Sequence, residues 1–289
     1  TYARASRDMS VKLASRALQE CGRFSREDVT HVVFASCTGF ASPGPDYHIV
    51  RELGLKDSVE RYSLGFMGCF AAFPALRMAA TICEANPKAV VLVMCLEFCS
   101  LHLQVSDEPD SIVANSLFAD GAACAVVSAR EPDPRRAVFR MDGFHSALIP
   151  SSESHMAWEI GNQGFNMVLS SYVPDLIGAN VLPMIGGVLA RRGLTLEEVA
   201  NWAVHPGGRA ILDKVQASLS LNESALDVSR EVLRDYGNMS SATVLFVLRH
   251  ILDQPPADTA GGGGERICSM AFGPGLTVET ALFTKLTSP

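Results

Sequence analysis

The run Ala89–Phe98, AVVLVMCLEF, is apolar at every position except Glu97 and shows no polar alternation. A strand with one face in water alternates apolar with polar residues, so this run predicts a strand covered on both faces. Such a strand requires helices above and below its sheet, the layered arrangement of α/β folds. The rest of the chain agrees. Helical periodicity over 7–21 precedes a short apolar strand, HVVFAS (31–36), and a Gly/Pro-rich loop, CTGFASPGPD. A helix over 46–53, a strand RYSLGF (61–66), a helix over 69–84, the strand 89–98, a helix over 110–118 and a strand GAACAVVSA (121–129) follow. The charged, proline-rich EPDPRRA (131–137) marks an internal boundary, so two halves are expected, 1–137 and 138–289. The second half reads as a strand VFRMDGFHSAL, a long helix over 164–192, a short strand NWAVH (201–205) and helices over 208–219, 223–235 and 239–252. A flexible surface loop, QPPADTAGGGGE, and two strands close it.

Hydrophobic residues are 48% of the chain and charged residues 19%, which describes a protein with a substantial core and no long disordered region. A net charge of −7 argues against general nucleic-acid binding. The eight cysteines (Cys21, Cys37, Cys69, Cys83, Cys95, Cys99, Cys124 and Cys268) form no CxxC pair and no zinc-finger spacing. No metal site is expected, and most of these thiols read as buried and reduced, which points to the cytoplasm. The longest apolar run, Ala89–Leu96, is far too short to span a bilayer, and no signal peptide is visible.

Three segments carry candidate chemistry. GFMGCFAAF places Cys69 at a strand-to-helix turn among the small residues Gly68, Ala71 and Ala72. Helix N-terminal amides there would lower its thiol pKa and favour the reactive thiolate; the competing reading is a packed core thiol. NWAVHPGGRAILD ends a buried strand on His205, before a Pro-Gly-Gly turn. Strand ends are where α/β proteins bind ligands, although a histidine satisfied in the core is the commoner case. RDYGNMSSATVLFVL sets Gly237 and Asn238 ahead of a helix, where capping alone is an adequate explanation. A cysteine, a histidine and an asparagine far apart in sequence can form one nucleophilic site. Papain-like hydrolysis and thioester chemistry of the thiolase or ketosynthase type both use such a set, but the papain signature around the cysteine is absent.

These segments, together with CTGFASPGPDYHIVRELGL, VLVMCLEFC, SLFADGAACAVV, VPDLIGANV and FGPGLTVET, stand in the order found in chalcone synthase-like, or type III, polyketide synthases. The chain resembles that family over nearly all of its length. The resemblance implies a thiolase-like five-layered αβαβα sandwich of two related halves, assembled as a homodimer. It implies iterative decarboxylative condensation of malonyl-CoA onto an acyl-CoA starter, then cyclisation to a small phenolic or pyrone product. CoA thioesters would be the substrates, with no cofactor and no acyl carrier protein. Cys69 would hold the growing chain as a thioester. His205 would keep Cys69 as thiolate and bind the thioester carbonyl, and Asn238 would join it in stabilising the enolate left when CO2 departs. Phe118 matches the gatekeeper between the CoA tunnel and the cavity. Aligning the VP dipeptides without gaps puts the second gatekeeper on Met167, with Phe165 as the neighbouring candidate. Cys37, Cys99 and Ser240 fall on cavity-lining positions, Cys99 being similar to bacterial members that make small aromatic products. Ser42 falls where a plant methionine enters the partner's cavity. Phe272, Gly273 and Pro274 belong to the glycine-rich loop AFGPG that shapes the cavity. Trp158 and Phe165 point to a small or reshaped pocket, Glu97 is expected in a polar network, and Arg209 in solvent. Relative to the family, the opening strand and helices of the first half, with most of the residues that grip the CoA phosphates, are expected to be missing. A single-condensation ketoacyl synthase and a non-catalytic acyl-binding subunit of the same fold are the alternatives.

Overall fold

The protein is described by a computed structural model covering residues 2–105, 107, 109–133, 135–162, 165–255 and 264–286. In chain order its main elements are α1 (Tyr2–Cys21), β1 (His31–Ser36), α2 (Pro45–Glu52), β2 (Glu60–Gly65), α3 (Ala72–Ala85), β3 (Val90–Phe98), α4 (Pro109–Leu117) and β4 (Asp120–Ser128). There follow β5 (Val138–Leu148), β6 (Met156–Ile160), β7 (Phe165–Leu169), α5 (Val173–Ala190), β8 (Asn201–Val204), α6 (Arg209–Ser218), α7 (Asp227–Tyr236), α8 (Thr243–Asp253), β9 (Glu265–Gly273) and β10 (Thr277–Leu286).

Two four-stranded sheets organise the chain, in the orders β2–β1–β3–β4 and β5–β10–β9–β8. In the first, β1 runs parallel to β2 and β3, and β4 returns antiparallel along β3. In the second, β8 and β9 are parallel, while β10 pairs antiparallel with β9 and β5.

The missing alternation of β3 has a direct cause. Leu92, Met94 and Leu96, with Val32 and Phe34 of β1, enter a core closed by Ala14 and Leu18 of α1 and Ile49 and Val50 of α2. Val91, Val93 and Cys95 point the other way, into a core shared with Phe73 and Leu76 of α3, Val244 and Val247 of α8, and Ile267, Ala271 and Phe283 of the second sheet. The far face of that second sheet, through Val204, Met270 and Val278, packs on Ile177, Val181 and Ile185 of α5 and Leu212 and Val215 of α6. The layers are therefore helix, sheet, helix, sheet, helix, the five-layered thiolase-like arrangement. Each fully buried aliphatic side chain contributes roughly 1.5–3 kcal/mol, so the central layer, apolar on both sides, holds the two sheets in register. Helix α5 is apolar over 18 residues, yet its Val173, Ile177, Val181, Ile185 and Leu189 are buried against protein.

The expected long helix over 164–192 is two elements. Residues Phe165–Leu169 form β7, paired antiparallel with β6, and α5 begins only at Val173. The alternation of half-buried Phe165, Met167 and Leu169 with exposed Asn166 and Val168 was the period-2 signal for this strand. The expected helix start at Cys69 also moves. Gly68–Phe70 is a 3-10 turn and α3 starts at Ala72. Likewise Ser240–Ala242 is a 3-10 turn ahead of α8. Most of the loop expected over 254–265 lies outside the described residues.

Candidate active site

Cys69 sits in its turn between the ends of β2 and α3, and the chain around it is held in uncommon conformations. Gly68 has φ +76°, and a Cβ there would lie 2.4 Å from Cδ of Pro274, so only glycine fits. From the other side, a Cβ on Gly273 would lie 2.5 Å from Cδ1 of Phe70. Gly273 and Pro274 thus press directly on the cysteine turn. Phe66 (φ +60°) and Ser240 (φ +49°) are non-glycine residues in the left-handed region, a strain that collects at functional sites. Cys69 is half-buried as a residue, its thiol group is the desolvated part, and the Ser240 hydroxyl and Asn238 amide are its hydrogen-bonding neighbours.

Asn238 joins three segments. Its backbone N–H donates to Leu117 O at 2.8 Å, and its carbonyl accepts from Ala119 N at 2.9 Å, a bridge that also brings Phe118 alongside. Its Oδ1 accepts from Ser240 N at 2.9 Å, and its Nδ2 donates to Gly207 O at 3.3 Å, in the turn after His205. His205 extends β8, donating its backbone N–H to Met270 O at 2.8 Å. Its ring is buried, 1% exposed, and neither ring nitrogen has a hydrogen-bond partner among the described residues. An orphaned buried imidazole is costly unless a ligand supplies its partner.

Electrostatics correct one expectation. Cys69 was expected to be acidified by helix amides, but burial pushes its thiol up to about 11, outweighing the Ser240 and Asn238 hydrogen bonds, with the nearby Glu97 adding to the rise. Desolvation pushes His205 down to about 3. Burial thus opposes charge on each of the two groups. The 3-10 turn adds to this at Cys69, because the aligned amides of α3 begin three residues further on.

Glu97 is fully buried at the centre of the expected polar network. Its carboxyl accepts from Cys37 N (2.9 Å), Thr38 Oγ1 (2.9 Å), Ser241 Oγ (2.5 Å) and Cys37 Sγ (3.4 Å), and burial raises its pKa. Cys37 Sγ also lies 3.2 Å from Ser240 Oγ. Cys37 and Cys99 interact electrostatically with Cys69, and desolvation raises the pKa of both. The structure thus gathers Cys69, Asn238, Ser240, Cys37, Cys99 and Glu97 at one place, with Asn238 reaching to the His205 turn.

Other expectations divide. Met167 stands opposite Trp158 in the β6–β7 ladder, and it is Phe165 that joins the aromatic wall beside the site. That wall is Phe66, Phe165, Trp158 and His102, with Phe66 and Phe165 at 5.1 Å and His102 stacked on Phe165 at 4.2 Å. Phe272 does not line the site. It is 2% exposed in the core under α5 and α6, because alternate residues of β9 face opposite layers and Ala271 takes the inner side. Ser42 borders a cavity of about 420 Å³ at the ends of β1 and β2, which shares Ser36 with the Glu97 network but does not include Cys69. Arg209 is solvent-exposed beside Asp213 at 3.9 Å. Sequence reasoning gave no role to Phe66, although it stands in the GFMGCFAAF segment, or to His102; only their pairing across distant elements reveals them.

Comparison with known proteins agrees with this architecture. The family models for the N- and C-terminal domains of chalcone and stilbene synthases match residues 3–132 and 143–287. The C-terminal type III polyketide synthase domain of Steely1, a type I/III hybrid from Dictyostelium, is 30% identical, with a TM-score of 0.92 over 99% of this chain and 78% of that one. PKS-I from the brown alga Ectocarpus siliculosus is 32% identical, with a TM-score of 0.87 over 95% of this chain and 73% of that one. With its five layers, its buried histidine and its cysteine turn clamped by Pro274, the chain belongs to the chalcone and stilbene synthase family, the type III polyketide synthases of the thiolase superfamily.

Proposed function

We propose that the protein extends an acyl-CoA starter with malonyl-CoA units on Cys69 and releases a small cyclised phenolic or pyrone product. The observation that carries this reading is the junction of Cys69, Asn238 and the turn of the partnerless His205. The carbonyl of an acyl thioester on Cys69 would accept from the N–H of the His205 ring. In loading, His205 takes the Cys69 proton, the thiolate attacks the acyl-CoA carbonyl, and the C–S bond to coenzyme A breaks, the departing sulfur taking that proton back from His205 to leave as free thiol. In extension, the malonyl carboxylate leaves as CO2 and its electron pair remains as an enolate. Asn238 and His205 donate to the enolate oxygen. The enolate carbon then attacks the thioester carbonyl, and the Cys69 thiolate leaves. Losing one such donor costs roughly 3–4 kcal/mol of barrier, so Asn238→Ala should slow extension by two to three orders of magnitude.

Phe118, Met167, Cys37, Cys99, Ser240, Gly273 and Pro274 surround the acyl chain in this reading. No cofactor and no carrier protein takes part. A homodimer in the cytoplasm fits the half-exposed apolar edge strands β4 and β5, which a second copy would cover, and the free thiols. The test is mass spectrometry of protein and products after incubation with malonyl-CoA and a panel of acyl-CoA starters. Acyl adducts on Cys69 with pyrone or phenolic products are expected, and Cys69→Ala should give neither while remaining folded. Full turnover by Cys69→Ala would overturn the mechanism, and a single-extension β-ketoacyl product would make the protein a ketoacyl synthase instead.

A further inference from the structure

Beneath the loop that follows α5 lies a cavity of about 210 Å³, walled by residues of β5, β9 and β10. Its floor is apolar, built from Leu194, Val199, Leu282 and Phe283. Two arginines line it, Arg192 from the loop and Arg266 from β9. Neither side chain makes a hydrogen bond or an ion pair with any of the described residues. Elsewhere arginines are paired: Arg7, Arg61, Arg77 and Arg230 each meet a carboxylate oxygen at 2.6–3.0 Å. The one acid in the cavity wall, Asp142, is already engaged. Its Oδ1 accepts from Arg140 Nε at 2.7 Å and its Oδ2 from Thr284 Oγ1 at 2.6 Å. Arg140, Arg192 and Arg266 thus stand against a single carboxylate, a local surplus of two positive charges in a chain of net charge −7. The backbone is shaped to this arrangement. Leu282 faces Gly143 and Phe283 faces Met141, so Asp142 is the extra residue of a β-bulge, a device that re-aims side chains beside functional sites. A Cβ on Gly143 would collide with the Arg192 guanidinium, so the glycine makes room for it. The cavity is remote from the cysteine turn. Gly273 stands seven residues beyond Arg266 on β9, roughly 23 Å at the rise of a strand.

We propose that this cavity is a second binding site, for a small phosphate monoester, with Arg192 and Arg266 clamping the phosphate and the apolar floor receiving its organic group. Charge selects the class. A phosphate monoester carries about −1.5 to −2 charges near pH 7, which matches the surplus, whereas a carboxylate supplies only one. Geometry agrees, because a guanidinium presents its N–H groups as a planar fork that fits phosphate oxygens two at a time. Two neighbouring guanidiniums repel each other, and a dianion between them turns that repulsion into attraction. The volume is below the ~300 Å³ at which sites for drug-sized ligands begin, so the organic group is about the size of one ring. Binding here needs neither Cys69 nor a CoA thioester, and the inference stands apart from the proposed reaction.

The test is isothermal titration calorimetry of the full chain with phenyl phosphate, which joins one ring to one phosphate monoester, at constant ionic strength. Saturable binding with a Kd of about 1 mM or below is expected. Arg192→Ala and Arg266→Ala should each weaken it about tenfold or more, the worth of a hydrogen bond to a charged group. Arg266→Gln replaces the alanine variant should that one not fold. Arg23→Ala, which removes an exposed arginine of the first half, should bind like the parent. Benzoate keeps the ring but carries one charge, and should bind about tenfold more weakly or worse. Inorganic phosphate keeps the charge but lacks the ring, and should also bind more weakly. Benzoate binding as tightly as phenyl phosphate would overturn the choice of a dianion. Inorganic phosphate binding as tightly would overturn the part given to the apolar floor and leave free phosphate as the ligand. The site itself is overturned if the parent shows no saturation by about 10 mM phenyl phosphate, or if binding is unchanged in both cavity-arginine variants.

Discussion

The charge state of Cys69 offers the sharpest test of how this site rests before substrate arrives. Burial places its thiol at about 11. Near pH 7 that leaves roughly one molecule in 10⁴ as thiolate, against about 3% for an ordinary cysteine of pKa ~8.5. Only the thiolate alkylates at a useful rate, so the folded protein should react about 300-fold more slowly at that pH than its unfolded chain. The predicted signature is a slope, not merely a low rate. Labelling with iodoacetamide, followed residue by residue with peptide mass spectrometry from about pH 6 to 10, should show the Cys69 rate climbing about tenfold per pH unit with no plateau. The same protein in urea is the reference and should level off above about pH 9. A rate that is already flat between about pH 6 and 9 would refute the reasoning. It would mean that a resting thiolate–imidazolium pair outweighs desolvation at both Cys69 and His205. Neutral resting partners would suit a synthase, because a thiolate that appears only as the thioester docks is protected from adventitious alkylation and oxidation.

Two further outcomes follow from named contacts. His205 is held at about 3 when folded, below its ordinary value of 6.5, so its contribution to stability is fully present above pH ~6.5 and is lost as pH falls towards ~3. The loss is ~1.4 kcal/mol per pH unit, ~5 kcal/mol in all, and a urea-denaturation series should show His205→Gln flattening that acid limb. Gly68→Ala forces a Cβ to 2.4 Å from Pro274 at φ +76°. Left-handed strain of ~1–2 kcal/mol and a similar overpacking cost should lower the urea midpoint and slow Cys69 acylation; unchanged stability would mean the turn is softer than its contacts imply.

Much of this fold is local information. The unalternating β3 could only be a strand with a core on each side, and the structure supplies α1 and α2 on one face, α3 and α8 on the other. The Gly-Cys turn, the histidine ending β8 and the asparagine between α7 and α8 are likewise written as short patterns, because turns and strand ends depend on nearest neighbours. The β6–β7 hairpin was misread as helix where it meets α5, since alternation over five residues is a weak signal beside a long apolar helix. What the sequence by itself determined is an α/β chain with a strand buried on both faces and the turns that carry the candidate residues, because periodicity and turn chemistry act over a few residues; the order of the five layers came with the family resemblance. Tertiary structure alone decided the desolvation of Cys69 and His205, the inward burial of Phe272 and the gathering of Phe66, His102, Trp158 and Phe165 into one aromatic wall. Desolvation and hydrogen bonding depend on what the chain brings near a group from far away, and no local pattern records that.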